Sequence, residues 1–343
     1  MPAGYSTGVA SSPVNLLQTL VTWLVTQGFT QEHSASEGGG WAAALSMGGI
    51  YAVFRAAMNE EIWPKAAGGS HDSGTGGYGI GFYLADGWDG GESWFEQSGR
   101  PVRSPEGSTC GVGMNLPSGA IAGYHFFHDG DGNVVVVVER EPGVFAHLGW
   151  GPDLPGGGNP EAFPYFFGSS PAYMNTDPDP LNDRAGVTIT AYPPMCQGDR
   201  DKGSLGEVTS DVHASGYVRV DAVSFAPRWV GNCEEDNDGY GWTGRFLRCA
   251  LTLGEAVGQL EADEYPDYQY WGSRVHQAAY VGSTLLPLHL FLETAAARWA
   301  PIGYLPTVFW CEAVGHGYAK GQVYQVGGQD YMVFPRFAVR KDA

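Results

Sequence analysis

Apolar positions recur at helical spacing once, near the N-terminus, and then give way to short runs with the period of strands. In "SSPVNLLQTLVTWLVTQGF", Leu16, Leu17, Leu20 and Leu24 fall on one face. Ser12 is placed to cap that segment, Pro13 suits its first helical position and Gly28 its end. The pattern predicts one amphipathic helix, followed by a polar, flexible loop in "TQEHSASEGGGW".

From Trp41 to Pro164 the pattern is that of strands. "GGIYAVFRAAM" and "GYGIGFYLA" are aromatic or β-branched runs bounded by glycines. "IAGYHFF" and "VVVVVER" flank "HDGDGN", which predicts a hairpin, and "PGVFAHLGW" a further turn and strand. The valines do not alternate with polar residues, so their strand is expected to be covered on both faces. Between about Pro171 and Gly206, prolines and acids mark a boundary or a long excursion. "SGYVRVDAVSF" reads as a strand, and a second helix is expected near Cys249 to Leu260. Strands return in "STLLPLHLFLET", "GYLPTVFWCEA" and "GQVYQVGGQDYMVFPRF", the last a hairpin turning at Gly-Gly.

The expected fold is mainly β: antiparallel β-sandwich-like modules, one N-terminal amphipathic helix and a few short helices. Two modules are expected, 1–175 and 176–343, with the C-terminal strands (about 285–337) as segments that could complete the first. Composition agrees with this. Hydrophobic residues at 43% supply a sizeable core, and 52 glycines, about double the usual share, with 22 prolines suit short strands and turns. No fixed-period repeat is visible, which disfavours a solenoid or propeller.

Charge narrows the function classes. A net charge of -19 with 18 basic residues offers no groove for phosphates and would be repelled by an anionic membrane surface. The N-terminal apolar run lacks a basic flank and is too short to span a bilayer, so neither signal peptide nor anchor is expected. The five cysteines, Cys110, Cys196, Cys233, Cys249 and Cys311, show no zinc spacing and read as reduced thiols. Cys233 and Cys249, which flank one loop, are the pair worth testing.

Candidate chemistry is sparse. Asp129, Asp131 and Asn133 alternate oxygen donors as calcium loops do, but strands rather than helices flank them, and Asp-Gly is also hairpin-turn chemistry. The plain turn is the favoured reading, with those three as weak metal candidates. Glu234, Glu235, Asp236, Asn237 and Asp238 read as a solvated run. His125 and His128 differ by an odd number of positions, which puts them on opposite faces of a strand and suits no shared metal. His147 reads as a core or edge histidine whose polar atoms are satisfied. Neither a nucleophile elbow nor a phosphate-binding loop is present, since "GGSHDSGTGGYG" lacks the lysine. Trp88, Trp94, Phe95 and Trp242 lie in glycine- and acid-rich loops, where they could stack on sugars, anchor an interface or plug the core.

Four phrases carry a resemblance. "GYSTGVASSPVNLLQTLVTWLVTQGFT", "VVVVVEREPGVFAHLGWG", "WAPIGYLPTVFW" and "QVYQVGGQDYMVFP" resemble segments of a family of tailed-bacteriophage virion proteins. About Pro171 to Gly272 has no counterpart, and "PDLPGGGNPEAFPYFFGSS" departs from the family's pattern. The resemblance implies a structural protein of the neck, collar, tail or baseplate, with no catalytic residues and no cofactor. It implies other virion proteins as partners, with copies of the chain itself in a ring. The expected location is the virion, after synthesis in the host cytoplasm. The alternatives from other classes are a tail protein binding host-surface glycans through Trp88 and Trp94, and a cell-wall hydrolase.

Overall fold

Strand β1 (Gly4–Ala10) leads through a short bend into helix α1 (Pro13–Thr26). Ser12 is extended, and its Oγ accepts from the Asn15 amide at 3.1 Å, so the expected cap is made. Leu16, Leu17, Leu20, Val21 and Leu24 are buried along one face. Gly28, at φ +93°, ends the helix in the left-handed region. The chain is seen in a computed structural model that describes residues 3–60, 77–103, 108–109, 111–156, 163–171, 215–219, 229–231, 247–250, 285–294, 298–311, 321–326, 328–334 and 337–341.

Among these, everything regular after α1 is strand. A first series comprises β2 (Thr30–Glu37), β3 (Gly40–Met47), β4 (Ile50–Glu60), β5 (Gly77–Ala85), the short pair β6 (Val102–Arg103) and β7 (Ser108–Thr109), and β8 (Val112–Asn115). Next come β9 (Ile121–His128), β10 (Val134–Glu141), β11 (Val144–Gly151), β12 (Tyr165–Gly168), β13 (Ser170–Pro171), β14 (Ser215–Arg219) and β15 (Trp229–Gly231). The last are β16 (Leu247–Ala250), β17 (Leu286–Thr294), β18 (Arg298–Trp310), β19 (Val323–Val326), β20 (Gln329–Phe334) and β21 (Phe337–Arg340).

They form three large antiparallel sheets. The first runs β13-β8-β5-β4-β3-β2, the central one β1-β9-β10-β11-β12-β14-β15, and the third β16-β17-β18-β21-β20-β19. The central sheet is sandwiched. Side chains alternate along a strand, and in β10 Val134, Val136 and Val138 join the core shared with α1 and the first sheet. Val135 and Val137 join a second core shared with the third sheet. The valine run is therefore covered on both faces, which explains its lack of polar alternation.

The third sheet is also tied to the central one through backbone. Tyr304 N–H donates to the Pro155 carbonyl at 3.0 Å, and Gly156 bridges Gly303. Gly303 sits at φ +140°, where a Cβ would lie 2.7 Å from Leu154 Cβ and 2.8 Å from two carbonyl oxygens, so only glycine permits this approach.

Two expectations need correction. "TQEHSASE" is not a loop but strand β2, paired with β3 from Thr30–Ser46 to Glu37–Gly40. It lies at a sheet edge, where one row of ladder bonds holds it while its side chains alternate between exposed and half-buried, so it needs no apolar pattern. Cys249 does not begin a helix: Leu247–Ala250 pairs with β17. The rest of that expected helix lies outside the described residues, as does most of the expected boundary region. The few further short helices are not found among the described residues.

Candidate functional site

The aromatic loop after β5 is built around Gln97. This side chain is fully buried. Its Oε1 accepts from the Asp89 amide at 2.6 Å, and its Nε2 donates to the carbonyls of Asp89, Ser93 and Glu92 at 3.1, 3.1 and 3.3 Å. One amide thus folds residues 89–97 into a compact knot. Two further contacts pin the knot to the end of the central sheet: Arg219 pairs with Asp86, and Trp229 Nε1 donates to the Gly99 carbonyl at 2.7 Å.

The knot delivers Trp94 to the first sheet. Register places Val53 opposite Tyr83 and Phe54 opposite Phe82. Phe54 and Phe82 face Trp150 on the central sheet. Alternation therefore turns Tyr83 and Arg55 to the other face of the first sheet. There the Tyr83 hydroxyl donates to the Trp94 carbonyl, and the Arg55 guanidinium lies 5.9 Å from the Trp94 ring centre. Burial raises the Tyr83 hydroxyl well above its ordinary pKa.

Trp94 is only 4% exposed, so as an interface or sugar-stacking candidate it is corrected: it plugs the core from a loop. Phe95 packs edge-on against it at 5.7 Å. Trp88 is half-buried, and one face of its ring is taken by His33, stacked at 4.5 Å. Trp242 lies outside the described residues, as do the acidic run 234–238, Cys110, Cys196 and Cys233. Cys311 is buried.

The Asp129–Asn133 loop is a hydrogen-bonded turn. Asp129 Oδ1 accepts from the amides of Asp131 and Asn133 at 2.9 and 3.1 Å, and its Oδ2 accepts from Asn133 Nδ2 at 2.6 Å. Asn133 Oδ1 takes the Tyr165 hydroxyl at 2.9 Å. Gly130 and Gly132 adopt φ +91° and +98°, which explains the Asp-Gly spelling. The Asp129 carboxylate and the Asn133 amide oxygen are engaged inside the turn, and the exposed Asp131 joins it only through its backbone amide. No three His, Cys, Asp or Glu side chains gather in a metal-like group among the described residues.

The histidines divide between the two seams. His128 faces Phe29 on the α1 side, while His125 faces Phe334 of the third sheet, so their opposite faces follow the odd spacing. The Tyr5 hydroxyl lies 2.9 Å from His125 Nδ1. His147 is fully buried between Phe167 and Phe337, and neither ring nitrogen has a hydrogen-bond partner. The expectation that its polar atoms are satisfied is corrected: the rings set against it are apolar, and the Ser169 hydroxyl across the ladder is itself buried without a partner among the described residues. Burial alone depresses it to about 3, and burial also lowers His125 and His128.

Sequence reasoning missed Gln97 and the isolation of His147. "WFEQSG" carries no signal for an amide that will bond four backbone groups around it. Searched against protein-family models and against curated protein sequences, the chain matches none of either.

Proposed function

We propose that the chain is a structural component of a tailed-bacteriophage virion, acting by assembly with neighbouring virion proteins in the neck, collar, tail or baseplate. The observation that carries this reading is where the four phrases of the resemblance fall. Although spread over most of the sequence, the second, third and last phrases meet at the seam between the central and third sheets, and Tyr5 of the first reaches it while that phrase's helix packs in the other core.

Tyr5 of the first phrase reaches Met332 of the last, with hydroxyl to Sδ at 3.8 Å. Phe145 of the second lies edge-on to Phe334 of the last at 5.3 Å. Leu305 and Val308 of the third pack in the same core. Convergence of separated phrases on one core is what a shared scaffold would produce.

An assembly role also suits the surface. Strands β1, β2 and β19 stand at sheet edges, and Val9, Val323 and Val326 are exposed on two of them, open to pairing with a neighbour. Among the aromatics offered for glycan binding, Trp94 is in the core and Trp88 is half-covered, which favours assembly over sugar recognition.

The test is mass spectrometry and cryo-EM of gradient-purified particles of the encoding phage. A fixed copy number per particle, with density that fits the three sheets, is expected. Complete particles without the chain, or turnover of peptidoglycan by the isolated protein, would overturn the reading.

A further inference from the structure

We propose that the seam between the central and third sheets is an acid-sensitive joint: protonation of His147, assisted by His125, opens it while the seam on the α1 side stays closed.

The geometry begins with register. His125 on β9 and His147 on β11 both pair with Val137 on β10, so the three residues form one row across three adjacent strands. That row points at the third sheet, where the β20–β21 hairpin presents Phe334 and Phe337, stacked on each other at 5.2 Å. Each phenylalanine meets one histidine edge-on at 5.5 Å, Phe334 with His125 and Phe337 with His147. The docking surface of the third layer is thus a pair of neutral imidazoles against a pair of phenylalanines.

Among the described residues, no hydrogen-bond partner stands ready for a proton on His147. The side chains set against it are Phe167 on β12 and Phe337 on β21, with Val137 beside it on β10 and Ser169 across the ladder, whose hydroxyl is buried without a partner among the described residues. The ionisable side chains on these strands are Glu139, Arg140 and Glu141 on β10, Tyr165 on β12 and Arg340 on β21. None acts on His147, whose shift has burial as its sole cause. Around His125 stand the hydroxyls of Tyr5 and Thr7, with Glu139 close enough to favour its proton. Lys341 lies over the Tyr5 ring at 4.6 Å. A cation at His147 therefore has either to be buried unpaired or to be rehydrated.

Rehydration has a short route. Both side chains lie on the face that the third sheet covers among the described residues, so separating that layer wets both rings and leaves the α1-side core intact. On the other face His128 is also buried with both ring nitrogens unpartnered among the described residues, but it sits at a strand end beside Asp129, whose charge favours its proton and offsets part of the burial. The α1-side seam is therefore the less acid-sensitive of the two.

Amide hydrogen exchange from pH 7 to pH 4, corrected for intrinsic rates, tests the joint. Protection in β17, β18, β20 and β21 is expected to fall about tenfold for each pH unit below ~6.5, more steeply where His125 also titrates, while β3, β4 and β5 hold. His147→Leu should remove one proton from that slope. Equal loss in all sheets, a flat third-sheet profile, or an unchanged slope in His147→Leu would overturn the proposal. Should His147→Leu fail to fold, the wild-type profile decides by itself, and His125→Phe, expected to shallow the slope, supplies the second variant.

Discussion

The two seams of the central sheet draw on the same strands and differ in what closes them. On one face Val134, Val136, Val138, Leu148 and Trp150 meet a helix and strands that are near in sequence. On the other, Val135, Val137, Phe145 and Phe167 meet β17, β18, β20 and β21, which arrive after residue 285. Area burial treats the two alike. Chemistry does not, because odd positions of β9 and β11 place His125 and His147 inside the second seam. A one-residue alternation therefore gives one seam two imidazoles in a row across its strands and the other a single imidazole at a strand end.

Truncating an aromatic on each side is the strongest way to break this comparison. Phe54 stacks on Phe82 at 4.7 Å and meets Trp150 at 5.4 Å. Phe54→Ala is expected to cost about 3–5 kcal/mol in urea unfolding and to leave one transition. Phe334→Ala should cost a similar amount, since Phe334 touches His125, Phe127, Phe145 and Phe337. Its loss, however, should detach the third layer first and split the curve in two. Two single transitions with equal slopes would show that the seams do not open separately.

Acid sharpens the same contrast at equilibrium. The folded His147 holds its proton only below about 3, against 6.5 for an ordinary histidine. The unfolded chain thus binds more protons between those values, and stability is full above ~6.5 and falls as pH drops. By pH 5 the loss from this residue is about 2 kcal/mol. The gap between wild type and His147→Leu in denaturant midpoint, followed from pH 7 to pH 5, measures it. A gap that does not change with pH would rule out the buried neutral imidazole.

Much of the scaffold was legible in the sequence because burial leaves a period. The valine run announced a strand covered twice, Ser12 and Pro13 announced a helix start, and Gly-Gly between "VYQV" and "YMVF" announced a hairpin. Strand β2 was not legible because an edge strand is held by backbone bonds and leaves no apolar trace. His147 was legible as buried but not as unpaired, since Phe337 reaches it from a strand that no local pattern connects to β11. Trp94 was ambiguous for the same reason. Tyr83 and Arg55 fix its place, and both lie on other elements.

Gln97 gives a smaller effect on the α1 side of the molecule, confined to one loop. Gln97→Ala removes four hydrogen bonds and strands the Asp89 amide, with an expected cost of about 1–3 kcal/mol. Exchange should rise through residues 86–100 while the third sheet is untouched. Gln97→Glu keeps the shape but places a carboxylate against the three carbonyls, so it should not rescue the loop. Rescue by Glu would mean that side-chain shape, not the amide's donors, holds the knot.

The smallest expected effect lies at the turn joining β9 to β10. Asp129 spends both carboxylate oxygens on the turn, and Asn133 spends its oxygen on Tyr165. A calcium ion drawing on Asp129 and Asn133 would have to break these bonds before gaining its own, and Asp131 by itself is one exposed carboxylate, so millimolar calcium is expected to leave the melting temperature where chelator leaves it. Asp129→Ala should cost about 1 kcal/mol, the loss of the turn's hydrogen bonds, and should do so equally with and without calcium. A melting temperature that rises with calcium in the wild type but not in Asp129→Ala would replace the turn reading with an ion site. The strand register that puts His125 and His147 in one row would then rest on a metal as well as on alternation.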